Sequence, residues 1–195
     1  VSIILGHPEK TFQEKDSMKK LVLIPAVLLA VATLAPAQMS HDKSKRSSPP
    51  ANAECKFSNG KTVKIDYSSP RAKGRKIFGG LVPFGEVWRT GANEATTFVA
   101  DTNVEVGGTS VPAGSYTIFT IPTADKWTLI INKKTGEWGI PYKYESDELA
   151  RIPMSVSKTS GPVEDFKIDF EQGGSKCALH MEWEDTRATV EVSEK

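Results

Sequence analysis

Five cations fall between positions 71 and 89: Arg71, Lys73, Arg75, Lys76 and Arg89. Trp88 adjoins Arg89, and Glu86 and Glu94 lie close by. Guanidinium groups form paired, directional hydrogen bonds to carboxylates and phosphates, so such a cluster has the chemistry of an anion-binding surface. Trp88 adds an aromatic face on which a ligand could stack. Asn93 and Glu94, beyond the turn residue Gly91, could accept hydrogen bonds from a sugar or a peptide. This reading assigns Arg71, Arg75, Trp88, Arg89, Asn93 and Glu94 to ligand binding. The competing reading is structural: Arg89 and Glu94 form an internal ion pair, Lys73 to Lys76 is a solvated face, and the glycines serve turns.

Catalytic patterns are sparse, and no residue is assigned a catalytic role at this point. A carboxylate-dependent hydrolase acting on a glycan is the alternative, with Glu86 or Glu94 as general acid or base across a cleft. The neighbouring arginines oppose it, because a nearby cation lowers a carboxyl pKa and disfavours a general acid. Gly80 to Gly85 has the glycine spacing of a phosphate loop, but Glu86 and Val87 stand where Lys and Ser or Thr are required. His180, Glu182 and Glu184 share a face of one strand and form a weak candidate metal set, against the plainer reading of a polar strand edge. His180 points away from the face of Cys177, which excludes a Cys–His dyad within that strand. No cofactor is expected.

These residues need a scaffold, and nearly every later segment reads as a short strand bounded by turn residues. Expected strands are Thr62–Tyr67, Thr97–Ala100, Asn103–Val106, Thr109–Val111, Ser115–Ile121 and Trp127–Asn132, then Ala150–Ser157, Val163–Phe170, Cys177–Glu184 and Arg187–Val192. Ser115–Ile121 is apolar on both faces, with Tyr116 and Ile118 on one and Phe119 and Ile121 on the other, as in a strand covered on both sides. No convincing helix is present. The pattern predicts an all-β fold, a single antiparallel β-sandwich, with jelly-roll and immunoglobulin-like topologies both open. The cationic stretch, Ser68 to Thr97, is then a long excursion between early strands, anchored by Ile77, Phe78, Leu81 and Val87. Trp127 and Trp183 fit core positions, whereas Trp88 and Trp138 fall in irregular segments and are the surface candidates.

Two cysteines serve this scaffold. Asn59-Gly60 marks a hairpin, and a three-residue loop with Gly60 in the left-handed conformation puts Cys55 opposite Val63, on the face of Phe57 and Ile65. Alternation puts Cys177 with Leu179, Met181 and Trp183. Both thiols face the core, which predicts a Cys55–Cys177 disulfide, with two buried free thiols as the alternative.

The chain opens on material of another kind. Met18 to Ala37 has a basic start, an apolar run and Ala35-Pro36-Ala37, the layout of a secretory signal peptide. The apolar run is too short for a permanent transmembrane helix, so none is expected after signal cleavage. Residues 1–17 are read as an over-extended translation start and 38–52 as a disordered tether, leaving a domain at 53–195. His41 lies in the tether without preorganised partners. Removing the leader leaves equal numbers of basic and acidic side chains, which argues against nucleic acid as a partner. An exported protein, periplasmic or extracellular, follows. Its partner would be an anionic small molecule, a glycan or an envelope protein.

Several strings resemble one family. KGRKIFGGLVPFG (Lys73–Gly85), VWRTGANEAT (Val87–Thr96), VPAGSYTIFTIP (Val111–Pro122) and WTLIINKKTGEWG (Trp127–Gly139) are together similar to the bacterial family called domain of unknown function 2911. The resemblance extends from Phe57 to Lys195. It implies an exported β-rich domain and brings no activity, substrate or site residues. These observations combine into one expectation: a non-catalytic binding or interaction module of the cell envelope, working through Ser68 to Thr97.

Overall fold

The computed structural model describes residues 42–195. The leader and His41 lie outside the described residues. Nine strands form one antiparallel sheet: β1 (Pro50–Lys56), β2 (Thr62–Ser68), β3 (Thr96–Ala100), β4 (Val104–Val106), β5 (Thr109–Val111), β6 (Gly114–Pro122), β7 (Lys126–Asn132), β8 (Glu148–Gln172) and β9 (Lys176–Glu194). Their order across the sheet is β1-β2-β3-β6-β7-β8-β9-β4-β5. The class is as expected, all-β and antiparallel, with one continuous sheet supplying the walls of the core.

The first hairpin has the anticipated register. Cys55 pairs with Val63, and Gly60 takes φ 85° at the end of the three-residue loop, where a side chain would strain the turn. Cys55 and Cys177 form a disulfide across 122 residues of sequence. It ties β1 to the start of β9.

The late strands differ from expectation. Four short strands were anticipated after Ala150, and there are two long ones. β8 runs through Gly161-Pro162 and β9 through Asp185-Thr186, where turn-type residues suggested breaks. Register shifts at Lys158/Val163 and Val163/Lys167, with Glu184 at φ 58°, bend the hairpin without ending it, as bulges do. The bend carries its distal half back against β1 and β2. There Ile168 N donates to Tyr67 Oη at 3.0 Å and Ser69 Oγ donates to Phe166 O at 2.7 Å. The Gln172 side chain accepts from Lys56 N and donates to Glu54 O. Beyond β2, Ala72 N donates to Glu164 O and Phe166 N to Pro70 O. The sheet therefore curls until its first strands meet the end of β8.

Between these walls lies an aromatic core. Trp88 stacks on Trp183 with centroids 5.9 Å apart, and Phe78, Trp127 and Phe166 meet Trp88 edge-on. A second, smaller core occupies the other face of β6 and β7, where Phe119 and Ile130 are buried. Tyr142 and Tyr144 close over Phe119. The two-sided reading of β6 thus has a direct cause: residues 138–147 fold across its outer face. Buried Asn132 secures them by donating to Tyr144 O at 2.7 Å and Tyr142 Oη at 3.2 Å.

The expected tether is a further correction. Residues 42–52 lack an apolar pattern, but polar contacts hold them to the domain. Lys43–Lys45 form a 3₁₀ turn capped by Asp42, Ser69 N donates to Pro49 O, and Pro50 opens β1.

Candidate functional site: an arginine-lined cavity

The excursion between β2 and β3 is pinned from below. Ile77, Phe78 and Val82 are buried in the main core. Val82 takes the anchoring place expected of Leu81, which is 48% exposed. Trp88 pairs with Thr120 through two backbone hydrogen bonds, 2.8 and 2.9 Å. Its side chain enters the core, and its indole N–H donates to Gly91 O at 3.1 Å. Trp88 is therefore 7% exposed, and the surface stacking role expected of it does not fit. Trp138, at 56%, is exposed as anticipated.

Backbone strain is concentrated in this excursion. Among the described residues, four that are not glycine have positive φ, and Lys73, Thr90 and Asn93 are three of them. Thr90 is the most telling, because a β-branched residue at φ 56° is a steric outlier. It is fully buried, its hydroxyl lies 3.1 Å from that of Thr120, and its carbonyl accepts from Thr96 Oγ1 at 2.7 Å. These bonds hold a turn that sends Trp88 inward and leaves Arg89 outside. Strain over-determined by its surroundings is a common mark of functional sites.

A cavity of about 410 Å³ opens on the outer side of this turn. Arg71, Lys73, Arg75 and Arg89 line it, and Trp88 and Trp183 contribute to its apolar side. Among the described residues no acidic side chain lines it. Arg71 is clamped by Asp165 at 2.8 Å and by the carbonyl and hydroxyl of Ser69. Arg75 is oriented by backbone carbonyls alone, with Nε donating to Ala72 O and Nη2 to Arg71 O. Arg89 donates Nη1 to Trp138 O at 3.3 Å, and its guanidinium lies 5.1 Å from the Trp138 ring centroid. Burial pushes its pKa down from the ordinary value, opposed by the field of Glu94. Among the described residues, Arg75 and Arg89 have no carboxylate within salt-bridge distance.

The internal ion pair between Arg89 and Glu94 is not formed. Glu94 accepts instead from Arg46 Nη1 at 2.7 Å and lies 3.3 Å from Lys43 Nζ. These partners, Arg46 first, pull its pKa down to about 2. Asn93 likewise turns to the N-terminal segment, donating to Ser48 O at 3.0 Å. Of the six residues assigned to a ligand, Arg71, Arg75, Trp88 and Arg89 gather at the cavity, while Asn93 and Glu94 hold the strand-leading segment. That segment brings Ser47 and Ser48 to the cavity wall.

The hydrolase candidates do not meet at this cavity. Glu86 is exposed and neither it nor Glu94 lines the wall. A general acid near neutral pH needs a raised pKa, and Glu94 is moved the opposite way. The candidate metal set is also dispersed. His180 lies 2.9 Å from Thr189 Oγ1 and 3.3 Å from Glu171 Oε2. Glu182 pairs with Arg187, and Glu184, turned by its positive φ, accepts from Ile77 N. Among the described residues no group of three potential ligands is placed to hold a metal.

Composition alone did not single out Ser47, Ser48, Leu81, Ile140 and Trp183 as cavity residues. Ile140 was the most accessible of them to sequence reasoning, since it follows Trp138 in the same irregular segment. Gly139, at φ 89°, lets that segment approach, because a Cβ there would stand 3.1 Å from Arg89 Cβ and 2.9 Å from Ala95 Cβ.

No curated protein and no solved structure matches the chain. A family model does, from residue 48 to residue 192, which takes in β1, every cavity residue except Ser47 and almost all of β9. Its match begins upstream of the expected domain boundary, close to where Pro50 opens the sheet. The chain therefore belongs to the family described as Protein of unknown function (DUF2911).

Proposed function

We propose that this protein is an exported, non-catalytic binding module that holds an anionic ligand in the arginine cavity. The observation that carries the reading is the convergence of Arg71, Arg75 and Arg89 on one cavity whose described lining contains no carboxylate. Two of these guanidiniums have no acidic partner among the described residues, so their charge is available to an incoming carboxylate or phosphate. Arginine stays protonated in proteins, which suits lasting recognition of an anion better than proton transfer. Export is supported by the signal-like leader and by the Cys55–Cys177 bond, since disulfides persist in oxidising compartments. No helix among the described residues is long and apolar enough to cross a membrane.

The test is NMR titration of ¹⁵N-labelled protein at low ionic strength with inorganic phosphate, acetate and phenyl phosphate. At least one should shift the Arg75 and Arg89 side-chain signals and the Trp88 indole signal, and Arg75→Gln/Arg89→Gln should abolish the response. If all three leave these signals unmoved at millimolar concentration, the cavity is not an anion site. Export is tested separately, by mass spectrometry of the N-terminus of protein recovered from the periplasm or medium.

A further inference from the structure

The exposed apolar side chains of the domain are not scattered. Among the described residues, the large ones are Leu81, Phe84, Trp138 and Ile140, each close to half exposed. They occupy only two loops, the glycine-rich turn at 79–85 and the segment at 138–140. Leu81 and Ile140 line the same cavity as Arg71, Arg75 and Arg89. Trp138 lies under the Arg89 guanidinium. Phe84 faces a separate pocket with Lys76 and Thr123. Single exposed apolar residues are ordinary on a protein surface, but the other three beside one cavity mark a surface that something covers.

The chemistry of that occupant is constrained from both sides. The guanidiniums call for an acid group, and the adjoining Leu81 and Ile140 call for an aliphatic or aromatic body attached to it. We infer that the ligand is an amphiphilic anion whose acid group enters the arginine cavity and whose apolar body lies across Leu81 and Ile140. This rests on the anion-binding reading and narrows it to one class of ligand. A free alkyl or aryl acid and the headgroup end of an anionic lipid share this chemistry.

The experiment compares inorganic phosphate, butyl phosphate and octyl phosphate, each below its micelle concentration, by calorimetric and NMR titration of the full domain. Octanol serves as the uncharged control. Vesicles of phosphatidylcholine, alone or mixed equally with phosphatidylglycerol, form a second arm in a flotation assay. The expected result is affinity that rises with chain length, by about twofold to fourfold per methylene held against the loops. That gain should vanish in Leu81→Ser/Ile140→Ser, and octanol should bind far more weakly than octyl phosphate. Retention on mixed vesicles together with binding of octyl phosphate, both lost in Leu81→Ser/Ile140→Ser, identifies lipid as a source, whereas retention without binding of any alkyl phosphate overturns the inference as surface adsorption. Equal affinity for the three phosphates, with no preference for anionic vesicles, overturns it and leaves the anion site standing. Octanol binding as tightly as octyl phosphate overturns it as well. Absence of any response to phosphates and vesicles removes both readings.

Discussion

Glu94 accepts a 2.7 Å hydrogen bond from Arg46, 48 residues upstream, and not from Arg89, five residues upstream. The choice binds the segment before β1 to the domain and frees Arg89 for the cavity. It also sets a pH dependence. The Glu94 carboxyl falls from its ordinary 4.5 to about 2 through Arg46 and Lys43. A carboxyl whose folded pKa is depressed contributes stability that is complete above the unfolded value and is lost as pH falls through the folded one. Wild type should therefore exceed Glu94→Gln by about 0.2–1 kcal/mol at pH 7, the range for a partly exposed pair. The difference should shrink below pH 4.5 and be nearly gone close to pH 2. Urea denaturation of both proteins across this range measures it, and a constant difference would refute the assignment.

The disulfide permits a second prediction. Cys55 and Cys177 close 122 residues of chain, and a cross-link of that reach restricts the unfolded ensemble strongly. Cys55→Ser/Cys177→Ser should lose about 2–5 kcal/mol. Reducing the wild type should give a loss in the same range, seen as a lower urea midpoint in dithiothreitol. A midpoint insensitive to reductant would mean that the bond carries little of the stability.

Trp88 and Trp138 should respond in opposite ways to truncation. Trp88 is buried among Phe78, Phe166, Trp127 and Trp183, so Trp88→Ala leaves a cavity and should cost about 3–5 kcal/mol. Trp138 is 56% exposed and its ring meets the Arg89 guanidinium, so Trp138→Ala should cost no more than about 1 kcal/mol. Equal losses in urea denaturation would contradict this division between core and cavity rim.

What could be read in advance depended on how far apart the cooperating residues lie. The Cys55–Val63 pairing was legible because Asn59-Gly60 and the alternation of Cys55, Phe57, Val63 and Ile65 specify one local register. The double-sided burial of β6 was legible from Tyr116 to Ile121 for the same reason. The length of β8 and β9 was not, because Gly161-Pro162 and Asp185-Thr186 carry turn chemistry that tertiary pairing overrides by a bulge. The cations of the cavity announced themselves by composition, but their partners did not. Arg71 pairs with Asp165 and Glu94 with Arg46, and no short-range rule selects one carboxylate over another. The segment at 42–49 was misread because polar contacts hold it, and hydrophobic periodicity does not register those.

Gly139 offers the sharpest separation of fold from site. Its φ of 89° lies where an alanine is strained by about 1–2 kcal/mol. Its added Cβ would also press on Ala95 Cβ at 2.9 Å and on Arg89 Cβ and Phe119 Cε1 at 3.1 Å. None of these three can yield easily: Ala95 and Phe119 are buried, and the Arg89 Cβ is fixed by the Trp88–Thr120 bridge and the Thr90 turn. The loop must therefore rise, drawing Trp138 O away from Arg89 Nη1 and Ile140 away from the cavity. Gly139→Ala should stay folded, since the tyrosines at 142 and 144 are secured independently by Asn132. It should lose at least about 1 kcal/mol in urea denaturation, and its Trp138 should become more accessible to iodide quenching. Phosphate should still shift the Arg75 signals while the Arg89 response weakens. If Arg89 responds as in wild type, the 138–140 segment does not orient it, and the cavity owes its geometry to the Thr90 turn alone.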